Sequence, residues 1–248
     1  MTDVSSKRDL DARTKEERAR DPENWWHRGM DTYRRGDTPL AFRPDADFFK
    51  WADVVVDPKR TLLSHNRLYV FWQVARNVAR VRGAIAEIGA YKGGSAYFIA
   101  RATAIFAGVD VPMHVIDTFE GHPEAAISDH DVYQKRGKFS GTSYDDVREY
   151  LSPFPQLQVH KGDVLALLPS LTEPAYRFVH IDTDLYQPTV ACLDYFGARL
   201  SSGGVIVVDD YASPKCPGVP KAVLEYLQRV TDFQVWDLRT EQLMLVKR

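Results

Sequence analysis

Short apolar runs and helix-period segments alternate along most of this chain. Residues 61–82 (TLLSHNRLYVFWQVARNVARVR) carry Leu68, Phe71, Val74, Ala75 and Val78 at helical spacing. Ala84–Ile88 then reads as a strand, 95–106 as a helix, 114–116 as a strand, 144–151 as a short helix and 157–160 as a strand. Residues 178–181 and 205–208 read as buried central strands. A helix-length segment and a Gly203-Gly204 turn join them. Residues 219–230 read as a helix, and 233–238 with 242–246 as a terminal antiparallel pair. Strands alternating with crossover helices predict an α/β fold with a mostly parallel sheet. There are no internal repeats.

Two stretches break this rhythm. Residues 121–141 form a polar loop rich in Gly, His and Lys, with glycine hinges that suit a lid. Residues 1–24 are charged and read as a tail. Residues 25–60 mix tryptophans and other aromatics with charges and prolines, too aromatic for a linker. The expected organisation is an extension over 1–60, acting as lid or dimer contact, followed by a catalytic domain over 61–248. The aromatic segment also points to a homo-oligomer, a dimer or higher.

Composition narrows the function classes. The chain has 248 residues, 44% hydrophobic and 27% charged, an ordinary globular balance. Net charge is −2, so no overall basic field draws nucleic acid or anionic membrane. No apolar run reaches spanning length, and the charged N-terminus has no apolar signal core. The two cysteines, Cys192 and Cys216, form neither a disulfide framework nor a CxxC pair, and are taken as structural thiols of a cytoplasmic protein.

The chemistry gathers where strands end. Residues 178–181 run into Asp182 and Asp184, and 205–208 into Asp209 and Asp210. In an open α/β sheet the carboxyl ends of the strands border the ligand crevice. Four acids there repel one another without a cation between them, and hard oxygen donors favour Mg²⁺, Ca²⁺ or Mn²⁺ over zinc. Asp184 also reads as a solvated acid, and Asp209 or Asp210 as a cap. Tyr186 and Tyr211 flank the cluster, either lining an acceptor pocket or closing the core edge. Among the histidines, His122 and His130 fall in the polar loop, and His180 reads as a hydrogen-bonded strand residue or a general base.

Three further acids follow successive strands. Glu87 precedes the glycine turn of EIGAYKGGS, where Gly89, Gly93 and Gly94 allow close backbone approach and Ser95 opens a helix. Asp117 ends the next strand, in the position that holds ribose hydroxyls in nucleoside-binding folds. Asp163, in Gly162-Asp163-Val164, can accept from an adenine amine. Singly, each also serves as a cap or loop acid. Together they describe an adenosine-containing ligand, and S-adenosylmethionine fits better than a dinucleotide. The turn is neither G-x-G-x-x-G nor a Walker motif.

The strings AEIGAYKGGSA, DTFEG, FSGTSYDDVREYL, FVHIDTDLYQPT, GGVIVVDDYASP and CPGVPKAV, spread over roughly residues 65–230, resemble the macrocin O-methyltransferase family. The resemblance implies a class I Rossmann-like methyltransferase fold with a seven-stranded sheet. It also implies S-adenosylmethionine, Mg²⁺, and a sugar hydroxyl of a glycosylated natural product or glycan as acceptor. It implies cofactor contacts at Glu87, Gly89, Ala90, Tyr91, Gly94, Ser95, Asp117, Thr118, Phe119, Gly162, Asp163 and Val164. Asp182, Asp209 and Asp210 are implied as metal ligands, Asp182 also as base, and Tyr186, Tyr211 and His130 as acceptor contacts. Catechol methyltransferases place a lysine just after the first aspartate, and Thr183-Asp184-Leu185-Tyr186 has none. A catechol or other non-sugar diol as acceptor, and a metal-dependent hydroxylase-like relative, are the competing readings.

Overall fold

A computed structural model describes residues 46–248. The expectations for residues 1–45 lie outside the described residues. Two compact units divide the chain, 1–50 and 51–248. The helices are α1 (Ala46–Val56), α2 (His65–Asn77), α3 (Gly94–Ala107), α4 (Tyr144–Tyr150), α5 (Val164–Leu167), α6 (Tyr186–Arg199) and α7 (Gly218–Arg229). The strands are β1 (Ala84–Ile88), β2 (Met113–Asp117), β3 (Leu157–Lys161), β4 (Tyr176–Ile181), β5 (Leu200–Val208), β6 (Phe233–Asp237) and β7 (Leu243–Lys247). Among the described residues no helix is long and apolar enough to cross a membrane.

The seven strands form one sheet in the order β3-β2-β1-β4-β5-β7-β6. Neighbours from β3 through β5 are parallel, and β7 runs antiparallel to both β5 and β6. The chain order reverses between β1 and β4, which opens a crevice at their carboxyl ends. β1, β4 and the last five residues of β5 are almost wholly buried, as expected of strands covered on both faces. Ala86, Ile88, Val179, Ile181, Ile206 and Val208 face the core shared with α6 and α7. Ile85 and Phe178 alternate with them and are fully buried as well.

One element differs from the sequence reading. Gly203-Gly204 is not a connecting turn, because β5 already begins at Leu200. Leu200 pairs with Tyr176 but Val205 pairs with Phe178, so the glycines lie in an irregularity within the strand. Gly203 has φ +77°, which only glycine adopts without strain.

Candidate active site

Parallel strands end in staggered steps, and each following loop hands a backbone hydrogen bond to its neighbour. The Gly162 N–H donates to the Asp117 carbonyl (2.9 Å), Gly89 to Ile116 (2.9 Å), Asp182 to Ile88 (2.8 Å) and Asp209 to Ile181 (2.8 Å). This staircase lines up the loops after β1 to β5 along one edge. Gly89 makes the tightest step. Its φ is +91°, and a Cβ there would sit 1.7 Å from the Asp182 carbonyl oxygen. Tyr91, Phe119, Asp184 and Asp210 follow β1, β2, β4 and β5 respectively, and all have positive φ near 55°. Left-handed backbone at non-glycine residues is uncommon, and its clustering at one edge marks a functional region.

A cavity of about 440 Å³ opens at this edge. One end is lined by Gly89, Tyr91, Ser95, Asp117, Gly162 and Asp163, the other by Arg67, Asp182, Asp184, Asp210 and Cys216. Asp117 stands at the first end. Its Oδ2 accepts from the Tyr91 N–H at 2.7 Å and its Oδ1 from the Phe119 N–H at 2.6 Å. Both oxygens keep a lone pair for a ligand. Burial raises its carboxyl above the usual range, against the lowering by these two bonds. Asp163 caps α5 by accepting from Leu165 N–H at 3.0 Å, so cap and cavity wall are one residue.

The acid cluster divides into two groups. One set of ligand atoms, from His180, Asp182 and Asp209, lies within 4.8 Å of one another; a second set comes from Asp184, Asp210 and Cys216. Burial, then Asp209 and Asp210, push the Asp182 carboxyl well above the ordinary carboxylate range. Burial, Asp184 and Asp209 push Asp210 up to about 7, although Arg67 opposes this. Asp182, Asp184 and Asp210 face one cavity beside the Arg67 guanidinium and the Lys138 ammonium, an oxygen-rich wall suited to a hard divalent cation.

Period-two alternation puts Glu87, His180 and Asp209 on the sheet face opposite the core of α6 and α7. His180 stands beside Glu87 in register, and its Nδ1 is 2.9 Å from Glu87 Oε1. Its Nε2 points at Asp209 Oδ2 from 3.5 Å, a charge contact rather than a formed hydrogen bond. Burial alone would lower this imidazole, but the two carboxylates outweigh it and raise it to about 10. The Phe71 ring packs against His180 with centroids 4.5 Å apart.

The family model described as Macrocin-O-methyltransferase (TylF) matches residues 51–232. The chain belongs to the macrocin O-methyltransferase family. It is 27% identical over 146 residues to the 8-demethyl-8-(2,3-dimethoxy-alpha-L-rhamnosyl)-tetracenomycin-C 4'-O-methyltransferase of Streptomyces olivaceus, covering 55% of this chain and 56% of that one. It is 27% identical over 160 residues to the Mycinamicin III 3''-O-methyltransferase of Micromonospora griseorubida, covering 60% and 62%. The chain thus spans less than two thirds of the length of these relatives. Its fold matches the O-methyltransferase NovP with a TM-score of 0.68 at 24% identity, over 76% of this chain and 82% of NovP. It matches the calicheamicin methyltransferase CalS11 with 0.61 at 21%, over 91% and 93%. The fold is therefore that of the class I methyltransferases.

Against the residues that macrocin O-methyltransferase membership implies, the structure sorts as follows. Gly89, Ala90, Tyr91, Ser95, Asp117, Thr118, Gly162, Asp163 and Val164 line the cavity with Asp182 and Asp210. Glu87 does not: strand alternation turns its fully buried side chain to His180, behind the cavity floor. Gly94 is also off the wall, packed against the Arg60 backbone, and the Phe119 side chain turns to the Tyr144 ring. Asp209 sits behind the wall. Its Oδ1 faces Arg67 Nη1 at 2.8 Å and accepts from Asp210 N–H, and its Oδ2 accepts from Gln242 Nε2 at 3.3 Å. Tyr186 points away, donating to Glu225 and packing on the exposed His130, so neither lines the cavity. Tyr211 packs partly against the core.

Arg67 carries no motif in the sequence and lies on the helix that bears the apolar stripe of Leu68, Phe71, Val74 and Ala75. No motif shows what the 121–141 loop holds either. Asp131 in that loop is 1% exposed and accepts from Ser128 and from the Tyr186 N–H at the start of α6. Gln134 donates to the Lys215 carbonyl at 2.8 Å, and Lys138 and His122 approach Asp184 at 3.7 and 3.8 Å. The loop is folded over the acid end of the cavity.

Proposed function

We propose that this protein is an S-adenosylmethionine- and Mg²⁺-dependent O-methyltransferase that methylates a sugar hydroxyl on a glycosylated natural product or glycan. The observation that carries this is the single cavity joining Asp117 and Asp163 at one end to Asp182 and Asp210 at the other. In this reading Asp117 holds the ribose hydroxyls, Gly162 to Val164 border the adenine, and the Gly89–Tyr91 turn borders the methionine portion. The relatives named for tetracenomycin rhamnose and mycinamicin methylation support a sugar acceptor.

Asp182, Asp209 and Asp210 would hold Mg²⁺. Ligand atoms of Asp182 and Asp209 lie within 4.8 Å of each other, and carboxylate oxygens are the hard donors that such an ion takes. When bound, the ion lowers the pKa of a chelated hydroxyl and fixes its direction. Asp182 would accept the hydroxyl proton as general base. Arg67 fixes the Asp209 carboxylate through Oδ1, and the 121–141 loop excludes water. Positioning of the acceptor oxygen against the sulfonium methyl accounts for most of the rate. The enzyme acts in the cytoplasm as a homo-oligomer.

The test is a methyl-transfer assay with deoxysugar glycosides, before and after chelation. Activity lost on chelation and restored by Mg²⁺ supports the reading. Asp182→Asn should abolish turnover while leaving S-adenosylhomocysteine binding intact, and wild-type-like turnover in it would defeat the reading. Asp184→Asn, assayed in parallel, shows whether this neighbouring cavity acid takes the proton instead.

A further inference from the structure

Next to Asp182 lies a donor set of different chemistry. Ligand atoms of Asp184, Asp210 and Cys216 fall within 4.8 Å of one another. Cys216 is 2% exposed, and its thiol is 3.3 Å from Asp184 Oδ1. His122 turns its Nε2 toward the same carboxylate, 3.8 Å from Oδ2, with only 10% of its side chain exposed. That nitrogen is buried and has no hydrogen-bond partner. A buried imidazole nitrogen without a partner costs free energy unless something reaches it. All four residues line the cavity.

We propose that His122, Asp184, Asp210 and Cys216 form a second cation site, selective for a borderline-soft divalent ion such as Zn²⁺, which adjoins the Mg²⁺ carboxylates and shares Asp210 with them. One thiolate, one imidazole and two carboxylates are the donors zinc takes in four-coordinate sites. Mg²⁺ does not favour thiolate or imidazole, so donor type separates the two ions. Zinc bonds of about 2.0 to 2.3 Å would draw the ligand atoms together to roughly 3.5 Å. Burial, then Asp184 and Asp210, push the Cys216 thiol up, so the free site holds S–H and binding must release that proton to solvent. The Lys138 ammonium also faces Asp184, at 3.7 Å, and opposes a cation there. It has a second partner in Gln134 Oε1 at 2.7 Å, to which it can withdraw. An ion in this site ties the 121–141 loop, through His122, to the segments after β4 and β5. It fills the cavity next to Asp182, so soft metals inhibit methyl transfer.

The experiment is a Co²⁺ titration of the chelator-treated full-length protein with Mg²⁺ in excess, read by thiolate-to-cobalt charge-transfer absorption in the near ultraviolet. The expected result is a band that saturates at one equivalent, is displaced by Zn²⁺ and is absent in Cys216→Ser. His122→Gln should weaken Co²⁺ binding at least about tenfold, the scale on which even groups outside a ligand set act. No band in the wild type, or a band surviving in Cys216→Ser, would overturn the site. Should Cys216→Ser not fold, unchanged Co²⁺ affinity in His122→Gln overturns it alone. The reading as a methyltransferase is judged separately, by turnover with Mg²⁺.

Discussion

Arg67 of α2 places Nη1 2.8 Å from Oδ1 of Asp209, a carboxylate with no solvent exposure. The same guanidinium bonds the Glu241 carboxylate, donates to the Thr240 carbonyl at 3.0 Å and stands 3.9 Å from Asp210. It therefore ties α2 to the acid cluster and to the turn between β6 and β7. Removing one partner of a buried pair leaves the other charge uncompensated. Arg67→Met should cost about 3 kcal/mol or more of stability, read as a lower denaturant midpoint. An unchanged midpoint would show that Asp209 finds its counter-charge elsewhere.

Gly89 is the second sensitive point. A methyl group there meets the Asp182 carbonyl oxygen at 1.7 Å, and φ is +91°. The clash is with backbone, so no side-chain rotation relieves it. Gly89→Ala should lower stability by at least about 2 kcal/mol, since left-handed strain alone costs about 1 to 3 kcal/mol. It should also weaken S-adenosylhomocysteine binding, measured by calorimetry. Wild-type melting and affinity together would mean that the β1 and β4 ends do not meet this closely.

Asp117 shapes its loop while facing the cavity. Asparagine at this position has one carbonyl oxygen, whereas two backbone N–H groups need acceptors. Asp117→Asn should lower S-adenosylhomocysteine affinity by about two orders of magnitude, roughly 2.8 kcal/mol. Asp163→Asn, which can keep the cap bond to Leu165 N–H, should cost less. Titration calorimetry of the two variants separates them.

Acid should destabilise the protein through β2 and β3. His114 Nδ1 and His160 Nε2 are 3.0 Å apart on these neighbouring strands. Burial lowers the proton affinity of both rings, and at His160 the nearby His114 adds to it. Glu173 opposes the shift at His114. The unfolded chain thus binds protons more readily than the folded one. Stability from this pair is present above the unfolded histidine pKa of about 6.5 and declines as pH falls below it. His160→Gln should flatten the fall in melting temperature between about pH 7 and 5. An equally steep fall in the variant would assign the acid sensitivity to other groups.

The local strings in this chain were enough for much of the architecture. Period-two and period-3.6 patterns are set by geometry within a few residues, so β1, α2, α3 and the β6–β7 pair were legible. So were the acids that end strands, because every parallel strand delivers its last residues to the same edge. The sequence by itself thus determined the sheet, the edge where the cavity opens, and Asp117, Asp163, Asp182 and Asp210 as acids at that edge. Only tertiary structure decided which side chains face that cavity. Glu87 and Asp209 turn behind it because strand alternation puts them on the face of His180 and Arg67. Arg67, His122 and Cys216 reach the acids from a preceding helix, a loop and a following segment, 117, 62 and 32 residues from Asp184 by their numbering. No local pattern carries such separations, because they are closed by packing of whole elements rather than by the preferences of neighbouring residues.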